Sequence, residues 1–480
     1  MKNYEMVIGL EVHVELATKT KIFCGCTTQF GGLPNTHCCP VCMGMPGTLP
    51  VLNKKVVEFA VAAGLALGCE ITRHCRFDRK NYFYPDLPKA YQISQLYLPI
   101  CRNGGIEIET DTGKKRIGIH EIHMEEDAGK LVHDPWEDCT LVDYNRCGVP
   151  LIEIVSEPDM RSADEVIAYL EKLRLILKYL GVSDCKMQEG SLRADINLSV
   201  REVGAAAFGT RTEMKNMNSF KAIVRAIEGE CKRQIEVLSN GGKVIQETRR
   251  WDENKDTSFA MRSKEDAQDY RYFPEPDLVP LVIDEDWLTR IKLREPELRD
   301  AKMKRYMEEF DIPAYDAAIL TGAKRMADIF EETVAICGKP KEVSNWLMVE
   351  TMRLLKETET DAEELALAPE KLAALIGMVD AGKINRTVAK EVFGKIFMED
   401  ADPEEYVKEK GLTMLQDDGL LREALSRVLA ANKQSVSDFL GGKDRAFGFL
   451  VGQMMKELKG KADPGMVNAL LRDALASYQK

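Results

Sequence analysis

The chain has 480 residues, about three times the roughly 150 of a common domain, so two to four domains are expected. Hydrophobic residues make up 45% and charged residues 30%, an ordinary globular composition that excludes disorder, collagen and fibre. With 66 basic against 78 acidic side chains the net charge is -12, which excludes a chain-wide basic surface for nucleic acid and leaves local basic patches.

The first predicted element is a strand over Tyr4 to Leu16. Its even positions Met6, Ile8, Leu10, Val12, Val14 and Leu16 are apolar, so period two puts Glu11, His13 and Glu15 together on the other face. These charges also break the apolar start. No stretch reaches the roughly 18 apolar residues of a membrane helix, so a cytoplasmic protein, neither exported nor anchored, is expected. Thirteen cysteines, five of them within Cys24 to Cys42, fit a reduced compartment better than a disulfide framework. Cys24, Cys26, Cys39 and Cys42 form two close pairs whose spacing suits a closed, structural Zn²⁺ site. Cys38 is a competing ligand, and a redox pair is the alternative.

Between Phe77 and Tyr91, Arg79, Lys80 and Lys89 are interleaved with five aromatic rings, a pattern suited to phosphates and stacked bases. A Pro-kinked loop whose rings fill the core is the plainer reading. The segment His120 to Gly129 brings His123, Glu125, Glu126 and Asp127 close in sequence. A capping box at Ser162 and Glu165, a stripe of Val166, Leu170, Leu173, Leu177 and Leu180, and a stop at Gly181 predict one helix inside the sheet region. Asp195, Asn197 and Ser199 then alternate with apolar residues, as do Arg211, Glu213 and Lys215. Each strand alone reads as a solvated sheet face. Four with Asp and Glu, poor strand formers, point to converging carboxylates that need a hard cation such as Mg²⁺.

Strand signals run to about residue 290, giving a first domain over 1–293. Beyond Pro296 amphipathic helical spacing takes over, with a turn at Asp400 to Pro403 dividing a helical domain (294–408) from a helical tail (409–480). The fold class expected is α+β, an antiparallel-sheet domain followed by two all-α domains. The tail carries 11 Lys and Arg against 9 Asp and Glu, net +2, and Lys443, Arg445, Lys456 and Lys459 are candidate RNA-backbone contacts. Core packing with solvated lysines is the alternative there. No Walker phosphate loop, G-x-G-x-x-G turn or G-x-S-x-G elbow is present, so any ATP is held by other means.

Together, the phrases Val7 to Leu16, Phe77 to Asp86, His123 to Lys130, Asp143 to Ile154, Tyr270 to Asp277 and Gly448 to Gln453 resemble the B subunits of tRNA-dependent aspartyl/glutamyl amidotransferases, the GatB family. The resemblance implies an ATP-dependent ligase that phosphorylates the side-chain carboxylate of misacylated Glu-tRNA(Gln) or Asp-tRNA(Asn) and amidates it with ammonia. It implies that Glu11, His13, Glu125, Glu126 and Glu213 line a Mg²⁺ and kinase site, with Asp195 as a further metal ligand and Glu153 a less direct member. Arg79, Lys80 and Lys89 would face phosphates of ATP or of the tRNA acceptor end. Ammonia would come from glutamine hydrolysed on a separate amidase (glutaminase) subunit, with a third, small subunit completing a heterotrimer, and the helical domains would bind tRNA. The family also favours Cys39 over Cys38 as a zinc ligand. Two other readings are a non-catalytic zinc-containing tRNA scaffold and a free-standing metal hydrolase using Glu11, His13 and Glu125.

Overall fold

The computed structural model describes residues 3–134, 136–263, 269–414, 418–458, 462 and 464–477. It is mixed α/β and divides into two compact units, Met1–Leu298 and Arg299–Lys480.

Among the described residues, the first unit is built on a nine-stranded sheet. Its strands are β1 (Tyr4–Glu15), β2 (Glu70–Ile71), β3 (Cys101–Thr110), β4 (Gly113–Glu126), β5 (Pro150–Ser156), β6 (Leu192–Glu202), β7 (Thr212–Lys215), β8 (Glu247–Asp252) and β9 (Thr257–Ser263). Their spatial order is β9-β8-β7-β6-β1-β5-β4-β3-β2, so the sheet's first strand in sequence is its central one. The helices are α1 (Lys54–Ala66), α2 (Ala163–Leu180), α3 (Phe220–Ser239) and α4 (Glu285–Lys292).

Alternation in β1 sorts the two faces of the sheet. Ile8, Leu10, Val12 and Val14 are buried in one apolar core with Val166, Leu170, Leu173 and Leu177 of α2 and Ile223 and Ile227 of α3. Full burial of each such side chain contributes about 1.5–3 kcal/mol, so the helices hold one face of the sheet and the opposite face is free for polar groups. α2 begins and ends as its sequence dictates. The Ser162 hydroxyl accepts the Glu165 N–H, the Glu165 carboxylate accepts the Arg161 N–H at 2.7 Å, and Gly181 takes the left-handed conformation (φ 68°).

The sequence suggests an antiparallel sheet, but the sheet is not antiparallel throughout. β7 and β8 run parallel, with Glu213 opposite Thr248, because the 20-residue α3 crosses between them and returns the chain to the same end of the sheet. α1, α3 and α4 also add to the single helix predicted in this unit. α1 is apolar on most sides and shows little periodicity, whereas the buried stripe of α3 includes Glu230 and Gln234, which read as surface residues.

The second unit is helical. Tyr306, Phe330, Leu347, Leu375 and Phe393 belong to one apolar cluster, and Leu421, Leu425, Leu450, Met454 and Leu471 belong to another. A π-helical turn spans Trp346–Thr351. Among the described residues no helix is long and apolar enough to cross a membrane.

Candidate active site

Register builds the polar face of the sheet. On β1, Glu11 lies opposite Asp195 of β6, and His13 lies opposite Glu153 of β5, which in turn faces His123 of β4. Glu125 lies two residues beyond His123, hence on the same face, and Glu213 of β7 is opposite Asn197 of β6. Residues from five strands, spread over about 200 positions of sequence, therefore meet on one surface.

Two groups of potential ligands result. In His13, Glu125 and Glu153 one donor atom from each lies within 4.8 Å of the others, and the same holds for Glu11, Asp195 and Glu213. His13 Nε2 is 3.3 Å from Glu153 and 3.6 Å from Glu125, and His123 Nε2 is 3.1 Å from the same Glu153 oxygen. Burial works against charge on both imidazoles, but Glu153 beside them, helped by Glu125, holds the pKa of each above the usual histidine range. Burial likewise opposes the Glu153 anion, and His123 and His13 overcome it, holding its carboxyl well below the usual range.

In the second group Asn197 Nδ2 donates to Glu11 at 2.9 Å, and the Thr248 hydroxyl donates to Glu213 at 2.7 Å. The Lys215 ammonium pairs with Asp195 and lies 2.8 Å from the other Glu213 oxygen. Burial, then repulsion from Glu153, raises the Glu11 pKa. Both groups present mostly hard oxygen donors to a small volume, a donor set that fits Mg²⁺ better than a soft metal.

Flanking these groups, Arg193 donates to Asp127 at 2.6 Å, with Arg146 at 3.4 Å from the same oxygen. Burial and the facing Asp127 push the Glu15 carboxyl up to about 8, against the pull of both arginines.

Glu126 does not join this face. Neighbours on a strand point to opposite sides, so while Glu125 turns to His13, Glu126 turns away, pairs with Lys89 and accepts the Ile93 N–H at 3.0 Å. Lys89 is thereby committed to a carboxylate. Arg79 is likewise held by Glu275 at 2.7 Å and Asp277 at 2.8 Å, while Lys80 lies 4.9 Å from the centre of the Tyr270 ring. Neither Arg79 nor Lys89 presents an unpaired charge to a phosphate.

Four sulfurs, those of Cys24, Cys26, Cys39 and Cys42, lie mutually within 4.8 Å, with Cys39 and Cys42 4.0 Å apart. Tetrahedral Zn–S bonds place sulfurs ~3.8 Å apart, so the set fits zinc. Cys38 stands outside it, its thiol donating to the Asn35 carbonyl. The Cys24 thiol beside it, the Cys39 N–H and the buried Lys21 ammonium lower the Cys42 pKa, favouring a thiolate there. In the second unit Lys443 is 3.1 Å from Asp438, Arg445 and Lys456 are exposed, and Lys459 lies outside the described residues.

Residues 6–289 match the family model described as GatB/GatE catalytic domain, and residues 328–475 match the one described as GatB domain. Over 476 residues the chain is 77% identical to the B subunit of the aspartyl/glutamyl-tRNA(Asn/Gln) amidotransferase of Lachnoclostridium phytofermentans, an alignment covering 99% of this chain and 100% of that protein. The chain belongs to the GatB family of amidotransferase B subunits. Members from Agathobacter rectalis and Caldicellulosiruptor saccharolyticus are 68% and 60% identical, each over 475 residues covering 99% and 98% of this chain and 100% and 99% of theirs.

In this GatB-family chain both ligand groups and the four cysteines fall inside the segment matched by the catalytic-domain model. Sequence reasoning gave no site role to His123, Glu121, Lys215 or Glu275. For the first three a signal existed on the same strand face: His123 and Lys215 each lie two residues from an assigned acid, and Glu121, 3.6 Å from His123, lies four residues from Glu125. Glu275 had none, being 196 residues from its partner Arg79.

Proposed function

We propose that this chain is the activating subunit of a tRNA-dependent amidotransferase, a ligase that forms a carbon–nitrogen bond at the expense of ATP. The observation that carries the reading is the pair of ligand groups side by side on one sheet face, with Glu11 and His13 at successive outward positions of β1. A carboxylate is a poor electrophile at neutral pH. Its oxygen attacks the γ-phosphorus, ADP departs, ammonia then adds to the acyl carbon and phosphate leaves, giving Gln-tRNA(Gln) or Asn-tRNA(Asn). Phosphoryl transfer asks mainly for positioning and charge neutralisation.

His13, Glu125 and Glu153, with Glu11, Asp195 and Glu213, would hold Mg²⁺, which when bound neutralises the triphosphate and polarises the transferring group. Asn197 and Thr248 fix the carboxylates of Glu11 and Glu213, and Glu153 clamps two imidazoles, so the face is organised ahead of the nucleotide. Cys24, Cys26, Cys39 and Cys42 would hold a structural Zn²⁺. Ammonia would arrive from glutamine hydrolysed on the amidase partner, with a third, small subunit in the heterotrimer, and the helical tail would contact tRNA. A cytoplasmic setting follows from the tRNA substrate.

The test supplies misacylated tRNA, ATP, Mg²⁺ and ammonium to the reconstituted complex. Glu125→Ala and Glu213→Ala should each abolish tRNA-dependent ATP turnover with folding retained. Full turnover in both variants would move the kinase to a partner and leave this chain a scaffold. Metal analysis of the same preparations should find one zinc per chain, lost in Cys39→Ser.

A further inference from the structure

The two ligand groups differ in how their negative charge is balanced. His13, Glu125 and Glu153 are balanced by imidazoles on short, strand-borne side chains. Glu11, Asp195 and Glu213 are balanced by the Lys215 ammonium, at the end of a flexible four-carbon stem on the last residue of β7. Its side chain is one-third exposed (34%), so it has somewhere to go.

Oxygen accounting makes the consequence specific. One Glu213 oxygen is occupied by Thr248 and the other by Lys215, Lys215 also takes Asp195, and Asn197 takes one Glu11 oxygen. Glu213 alone has both oxygens engaged, so a divalent ion binding all three carboxylates at the ~2.0–2.6 Å of hard-cation coordination competes with the ammonium there and repels it from Asp195. Three carboxylates against one ammonium leave a charge of -2, enough to draw the ion in.

We propose that Lys215 is a displaceable counter-ion, which keeps Glu11, Asp195 and Glu213 assembled before metal loading and yields Asp195 and Glu213 to the entering divalent ion, thereby setting its affinity. The inference rests on the reading above that this group takes such an ion.

The test titrates the full chain with Mn²⁺, following free Mn²⁺ by electron paramagnetic resonance, for wild type, Lys215→Met and Lys215→Arg. Two bound ions are expected. Lys215→Met should tighten one of them about tenfold, since a competing unit charge is gone, while Lys215→Arg should not. In the wild-type chain, acylation of Lys215 by an amine-reactive reagent, read by mass spectrometry, should rise several-fold when Mn²⁺ binds. Two ions bound equally well by wild type and a folded Lys215→Met, or labelling of Lys215 indifferent to bound Mn²⁺, would overturn the lysine's role alone. No Mn²⁺ bound by either chain would overturn the metal reading with it. Should Lys215→Met fail to fold, the labelling experiment on the wild type decides.

Discussion

Glu230 shows what a single buried carboxylate does in this fold. It has no exposed surface, yet it accepts from Thr212 at 2.9 Å, from Arg233 at 2.6 and 2.8 Å and from Gln234 at 2.9 Å, tying α3 to β7. Burial opposes its charge, but the Arg233 hydrogen bonds, with those of Gln234 and Thr212, outweigh it and lower its pKa. A carboxyl with a depressed folded pKa stabilises the protein above its unfolded value, near 4.3, and that contribution is lost as pH falls through the folded value. Glu230→Gln should therefore cost about 1–3 kcal/mol in urea unfolding at pH 7, with the deficit shrinking below about pH 4. A deficit independent of pH would show that shape, not charge, matters at this position.

At the scale of elements, α2 illustrates how far local rules reach. Ser162→Ala removes the acceptor of the Glu165 N–H and should cost about 1 kcal/mol, read as a lowered midpoint of thermal unfolding. Its cap, stripe and stop were all legible, as was the two-faced pattern of β1, because each is written in residues a few positions apart. Pairing between strands was not. Nothing in the sequence places Glu153 between His13 and His123, since that depends on β5 choosing β1 and β4 as neighbours in one register. Glu126 entered the expected site with the resemblance, through the phrase His123 to Lys130, whereas the period of a strand turns it to the face opposite Glu125. The basic residues Arg79 and Lys89 read as phosphate ligands because their carboxylate partners, Glu275 and Glu126, lie far off in the chain. The cap of α3 at Ser219 and its stripe of Ala222, Ile223, Ala226 and Ile227 are as local as those of α2 and equally legible, only its buried Glu230 and Gln234 departing from the pattern.

At the scale of the whole molecule, catalytic and tRNA-binding roles would fall on separate units. Residues of the tail from Leu421 to Leu475 form an apolar cluster of their own. Deleting residues 409–480 should weaken tRNA binding at least tenfold at low salt in a filter or fluorescence assay, the difference narrowing as salt rises because fewer counterions are released by the shortened chain. Ammonia-dependent turnover at saturating tRNA should survive. Undiminished tRNA affinity after that deletion would exclude the tail as a tRNA contact.

The central place of β1 has a consequence for biosynthesis. Residues Tyr4–Glu15 leave the ribosome well before both hydrogen-bonding neighbours, Pro150–Ser156 and Leu192–Glu202. At roughly 5–20 residues per second, the nascent strand waits on the order of 10–40 s for its second flank. Until Pro150–Ser156 emerges both of its edges are open, and one stays open until Leu192–Glu202 follows, an invitation to mispairing. The candidate site is thus assembled around a strand made well before both its flanks, and a chaperone occupying that segment during elongation would protect the residues proposed to hold the metal.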